Sequence, residues 1–123
     1  MSATTRRLLL LALATHRRAE LRDGVWEARC LHCRSRLLVS GSGAPIGRAT
    51  VEHIIPRSWF DLAAMRDLIA RVDDADDPRN LAVACARCNQ EKGRGPDARP
   101  HDPRSRAIVE RLLESRLQEW RDR

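Results

Sequence analysis

Aromatic side chains are scarce. Trp26, Trp59, Phe60 and Trp120 are the four in 123 residues. A protein that stacks unpaired bases on an aromatic platform normally needs more, so any contact with a nucleic acid would run mainly through its backbone. Long apolar runs are missing too. The longest, Leu8 to Ala14, falls well short of the roughly 20 residues that span a bilayer. Arg6-Arg7 ahead of it faintly resembles a secretory leader. The run is minimal, however, and reads better as the buried face of an N-terminal helix, with the cytoplasm as the expected location. Lysine is nearly absent: Lys92 stands alone beside 22 arginines. No internal repeat stands out.

What is present is positive charge, unevenly spread. The formal net charge is +6, yet residues 61–77 hold six Asp and two Arg, so the remainder carries +10. Such an excess suits a polyanion such as nucleic acid. A basic soluble protein with an arginine-rich composition would look the same, so charge alone decides nothing. The run Asp73 to Asp77 lacks the ordered spacing of a calcium loop. It reads as a solvated turn facing away from any polyanion.

The chain is long enough for one small domain, residues 1–123. Thr4 or Thr5 can cap a helix running to about Arg22, ended by the Asp23-Gly24 turn. Val25 to Arg29, Leu37 to Val39, Ala49 to Ile55 and Asn80 to Ala84 read as strands, each rich in β-branched or apolar residues. Ser40 to Gly47 is a loop. Ser58 to Val72 reads as a helix with Ser58 at its N-cap and Trp59, Leu62, Ala63, Leu68, Ile69 and Val72 on its buried side. Ala86 to Lys92 starts a short helix ended by Gly93 and Gly95, and Pro96 to Pro103 is a basic loop. Ser105 to Arg121 is amphipathic, with Arg106–Glu110 and Glu119–Arg123 as i,i+4 surface pairs. Its apolar side suits packing within the chain or a homodimer seam equally.

Four cysteines come as two equal pairs, Cys30-Leu31-His32-Cys33 and Cys85-Ala86-Arg87-Cys88. Together they have the makings of a closed tetrahedral thiolate site, which would hold structural Zn²⁺ and leave no open position for chemistry. Disulfides and a redox pair compete with zinc. The absence of a thioredoxin-like βαβ pattern counts against the redox pair. His32 lies inside the first knuckle and reads as a surface residue rather than a ligand.

Between the pairs lies Thr50-Val51-Glu52-His53-Ile54-Ile55-Pro56, a short strand carrying an acid and a histidine and stopped by proline. Asn80 opens the next strand, and Asn89 follows the second cysteine pair. An imidazole titrates near working pH and can take a proton from water. A carboxylate and an amide oxygen are hard ligands that suit Mg²⁺ or Mn²⁺.

The ordered set Glu52-His53, Asn80 and Asn89, framed by the cysteine pairs, resembles the HNH endonuclease family in its H-N-N variant. The resemblance spans roughly Cys30 to Gly93. It implies an α+β protein with a small ββα-metal core at about 30–93, a structural four-cysteine zinc site, and flanking helices at about 3–22 and 105–121. It further implies that His53 is the general base and that Asn80 ties the loop between the strands. Glu52 and Asn89 would then hold one catalytic divalent ion, and DNA would be the substrate. The family usually has Asp where this chain has Glu52, and many members have His where it has Asn89. A neutral amide there favours Mg²⁺ or Mn²⁺. Adjacent strand residues point to opposite faces, so Glu52 and His53 serve one site only if the strand twists or ends there. Lys92, Arg57, Arg87, Arg94 and Arg99 are candidates for a phosphate cradle with little sequence preference. The alternative is a zinc-stabilised nucleic-acid binding module without catalysis, which the cysteines and the charge fit equally well.

Overall fold

The computed structural model describes the backbone of residues 1–94 and 99–123, and the side chains of 1–91 and 99–123. In chain order the elements are α1 (Ala3–Ala14), β1 (Glu20–Arg22), β2 (Val25–Arg29), β3 (Arg36–Ser40), β4 (Pro45–Ile46), β5 (Ala49–His53), α2 (Arg66–Ile69), β6 (Leu81–Cys85), α3 (Ala86–Arg94) and α4 (Pro103–Gln118). Strands β1 to β4 form an antiparallel sheet in sequence order, while β5 and β6 pair with each other. In this hairpin Ala49 faces Cys85, Glu52 faces Ala82 and His53 faces Leu81. Helix α3 follows β6 without a gap, so the order β5–β6–α3 is the ββα unit expected from the sequence.

The N-terminal helix is shorter than expected. Ser2 caps it by accepting from the Thr5 N–H at 3.1 Å, and it stops at Ala14 rather than near Arg22. The Thr15 hydroxyl turns back onto the Leu11 carbonyl at 2.7 Å. The reason lies further on. Asp23 and Gly24 both have positive φ, 52° and 77°, the conformation of a two-residue hairpin turn. That turn pairs Arg22 with Val25 and Glu20 with Glu27, so residues 20–22 become strand. Asp-Gly is a helix stop in one context and a hairpin signal in the other, and cross-strand pairing decides between them.

The stretch after Pro56 differs more. Instead of one helix over Ser58 to Val72 there are two 3₁₀ turns, Arg57–Asp61 and Ala63–Met65, and then α2. No side chain caps the first turn, and Leu62 is extended at φ −95°, ψ 123°. The buried residues Trp59, Met65 and Leu68, with half-buried Leu62, recur every three positions. Trp59 lies in the first turn, Met65 in the second and Leu68 in α2, with the extended Leu62 breaking the run, and all four pack into one apolar cluster. Ala63, expected on the buried side, is exposed, and Met65 takes its place.

Two apolar clusters result. One joins Leu9 and Leu13 of α1 to Val39, Leu81, Val83 and Ala84. The other joins Ile54, Ile55, Trp59, Met65 and Val72 to Val109 and Leu113 of α4, so α4 packs on its own chain. Asp102 caps α4 by accepting from the Arg104 N–H at 3.0 Å, and Pro103 opens it. Its start is thus two residues earlier than expected. The Arg106–Glu110 pair forms at 2.7 Å, but Glu119 meets Arg18 at 3.2 Å rather than Arg123.

Arg116, near the end of α4, is 1% exposed. Its guanidinium donates to the Leu81 carbonyl (2.7 Å), the Thr15 carbonyl (3.1 Å), the Thr15 hydroxyl (2.6 Å) and the Pro78 carbonyl (3.1 Å). It also lies 5.2 Å from the centre of the Trp120 ring. One side chain thereby joins the carbonyl end of α1, where the Thr15 carbonyl also accepts from the Arg121 N–H at 2.8 Å, to the start of β6.

Candidate active site

The four cysteine sulfurs lie within 4.8 Å of one another, with Cys33 Sγ and Cys85 Sγ 4.0 Å apart. Four thiolates around Zn²⁺ at about 2.3 Å would sit about 3.8 Å apart, so the cluster is positioned for a metal ion and its all-sulfur donor set suits zinc. Local geometry supports the charged sulfurs. The Cys85 N–H points at Cys30 Sγ (3.3 Å) and the Cys88 N–H at Cys85 Sγ (3.5 Å). The Ser35 hydroxyl, 3.1 Å from Cys33 Sγ, is the main reason the Cys33 thiol is held down at about 6. Burial pushes the Cys88 thiol the other way. The first knuckle is tied to the hairpin by the Leu31 N–H on the Val83 carbonyl at 3.0 Å.

Asn80 is fully buried. Its side-chain oxygen accepts from the Ile55 N–H (2.8 Å), and its amide donates to the Ile55 carbonyl (3.2 Å) and the Ala75 carbonyl (3.0 Å). Its own carbonyl accepts from the Ile54 N–H at 2.9 Å. The loop that leaves β5 is therefore closed against the strand that returns, directly after His53.

His53 ends β5, with its side chain about a quarter exposed. Its Nε2 lies 2.7 Å from Asp76 Oδ1, and Arg57 donates to the same oxygen at 2.7 Å. The hydrogen bond from His53, with the positive charge of Arg57, holds the Asp76 carboxyl below its usual range. The acidic turn expected to face away from the site thus sends one carboxylate to the histidine. Asp73 and Asp77 are taken up by Arg79, each at 2.8 Å.

Strand alternation sends Thr50 and Glu52 to the opposite face from Val51 and His53. On the Thr50 face lies α3. Asn89 commits its amide hydrogens to the Thr50 hydroxyl (3.0 Å) and the Val51 carbonyl (3.2 Å). Glu52 is 2% exposed. Its Oε1 lies 2.6 Å from Nε2 of His32, so His32 is not the surface residue its position suggests. Glu52 and Asn89 offer the hard oxygen donors that a divalent ion of the Mg²⁺ or Mn²⁺ kind accepts.

A family model described as HNH endonuclease matches residues 30–95, more than half of the chain. The chain belongs to the HNH endonuclease family. No curated protein and no solved structure gives a significant match. The matched span runs from the first cysteine to just past α3, so α1 and α4 lie outside the family core. It contains Glu52, His53, Asn80 and Asn89, as the sequence pattern indicates. It also contains His32 and Asp76, whose contacts with Glu52 and His53 no local pattern announces. The one hint for His32 was its place beside a cysteine of the zinc-type knuckle.

Among the candidate phosphate contacts, Arg57 is engaged with Asp76. Arg87 is exposed and reaches Glu91 at 3.4 Å, a surface pair of little energetic weight. Arg99 is exposed. The side chains of Lys92 and Arg94, the expected helix stop at Gly95 and the first three residues of the loop after it lie outside the described residues; the stop expected at Gly93 is not made, and α3 runs on to Arg94. No helix among the described residues is long and apolar enough to cross a membrane.

Proposed function

We propose that this HNH domain is a metal-dependent endonuclease that hydrolyses DNA phosphodiester bonds, with His53 as the general base and Glu52 and Asn89 as ligands of one divalent cation. The observation that carries this reading is the Asn80 clamp. It closes the loop just beyond His53 and so supports the base at the end of the hairpin, inside a chain of the HNH family. The strand ends at His53, so a phosphate reaching both Glu52 and His53 would lie across that end.

The residues divide the work. With the proton on Nε2 directed at Asp76 Oδ1, Nδ1 of His53 carries the lone pair that takes a proton from water. Asp76 and Arg57 set the tautomer and the ring plane. Asn89, fixed by Thr50 and Val51, presents its oxygen without rearrangement, and Glu52 supplies the negative charge. A bound Mg²⁺ or Mn²⁺ would stabilise charge on the phosphate and on the leaving oxygen. The +10 charge outside residues 61–77 supports backbone contacts with DNA and predicts cleavage that falls steeply with salt. Zinc in the cysteine cluster would be structural.

Incubation with supercoiled plasmid tests the reading. The protein is expected to cut with Mg²⁺ or Mn²⁺ and not with EDTA, and His53→Ala is expected to lose about 100-fold or more in rate. Binding of the plasmid by zinc-loaded, folded protein without cutting under any divalent ion would instead identify a binding module.

A further inference from the structure

The zinc knuckles do more than brace the hairpin. Each places a potential ligand beside a cysteine: His32 precedes Cys33 and Asn89 follows Cys88. The four sulfurs draw together within 4.8 Å, so the backbones on either side of them are held in one place. Both neighbouring side chains then reach the same edge of β5. Asn89 bonds Thr50 and Val51, and His32 Nε2 stands 2.6 Å from Glu52 Oε1. Thr50 and Glu52 share a strand face.

We propose that His32 is a third protein ligand of the cation that Glu52 and Asn89 hold, which makes the site a mixed nitrogen–oxygen site that prefers a transition-metal ion to Mg²⁺. This rests on the assignment of Glu52 and Asn89 as cation ligands above. Donors on adjacent positions of an octahedral ion lie about 3 Å apart, close to the spacing of His32 Nε2 and Glu52 Oε1. An imidazole nitrogen is a poor partner for Mg²⁺ and a good one for later first-row ions. Coordination through Nε2 would require the His32 proton to sit on Nδ1. His32 is about one-fifth exposed while Glu52 is nearly sealed, so His32 forms the solvent side of the pair and the route by which an ion reaches the carboxylate.

The test uses Mn²⁺ on the zinc-loaded protein, because a hard ion does not displace zinc from thiolates. Electron paramagnetic resonance reads how much Mn²⁺ is bound, and its electron spin-echo modulation reads a directly bound ¹⁴N without any nuclease assay. One Mn²⁺ per chain with imidazole nitrogen coupling is expected. His32→Phe is expected to abolish the coupling and weaken Mn²⁺ binding about tenfold or more while zinc content stays full; His53→Ala is expected to keep both. His32→Asn replaces the Phe variant if that protein loses its zinc. A wild-type Mn²⁺ complex without nitrogen coupling overturns the role of His32 and leaves Glu52 and Asn89 standing, as does coupling that survives in the His32 variant. Coupling lost in His53→Ala assigns the nitrogen to His53 and overturns it too. Absence of any Mn²⁺ binding overturns this ligand set and the cation site together.

Discussion

Replacing Arg116 with methionine keeps most of the side-chain volume and removes every donor. In the wild type its guanidinium serves the buried Leu81 and Thr15 carbonyls, the half-buried Pro78 carbonyl and the Thr15 hydroxyl, across the end of α1, the turn before β6, and β6 itself. Burial pushes the guanidinium down to about 10, so it stays charged at neutral pH. The variant gains because no charge has to leave water, a cost of several kcal/mol. It loses because acceptors stay behind. The Thr15 and Pro78 carbonyls keep the Arg121 and Leu81 N–H groups, so the cost falls mainly on the Leu81 carbonyl and the Thr15 hydroxyl. Each buried acceptor without a donor costs about 1–3 kcal/mol, and a net loss of about 2–4 kcal/mol is expected. For 123 residues the total stability is about 6–18 kcal/mol. The unfolding entropy is about 0.26 kcal/mol/K, so Tm should fall by about 8–15 °C. Calorimetry with zinc present measures it directly. A drop under about 4 °C, equal to about 1 kcal/mol, would refute the account of Arg116 as the tie between α1 and β6.

Two further outcomes are expected. Asn80→Ala leaves the Ile55 and Ala75 backbone groups without their partner and should cost about 2–4 kcal/mol, read by denaturant unfolding; cleavage should fall further than stability alone explains, and activity equal to wild type at a temperature where the variant is folded would exclude the clamp role. His16 is held down at about 4, first by burial and then by the charge of Arg116. Its folded value lies below its ordinary 6.5, so the unfolded chain binds more protons between about 4 and 6.5 and stability falls as pH drops through that window. His16→Gln should flatten that part of a Tm-against-pH curve, and an unchanged slope would show that other groups dominate.

Much of the fold was legible because its signals are local. β-branched runs marked β2, β3, β5 and β6, and the equal spacing of two cysteine pairs marked the metal-type cluster although 52 positions separate its halves. The order Glu52-His53, Asn80, Asn89 pointed to the family from residue types alone. Local signals also misled where two structures share one signal. Asp23-Gly24 ends a helix or turns a hairpin, and only pairing with Trp26 and Glu27 turned residues 20–22 into strand. The apolar residues after Pro56 fit a helical stripe loosely and a period of three better. Packing against Val109 and Leu113 of α4 accompanies the second pattern.

Charged residues were the least legible. Sequence reading treated Asp76 and His32 as solvated and did not single out Arg116, because nothing nearby in the chain partners them. Each is engaged by a group at least 20 positions away: Asp76 by His53, Arg116 by Thr15 and Leu81, His32 by Glu52. The sequence by itself determined the strand–strand–helix order of the core, which family that core belongs to, and which donors are available. Only the tertiary structure decided which of those donors meet, because a charge leaves water only where distant parts of the chain bring it compensating partners.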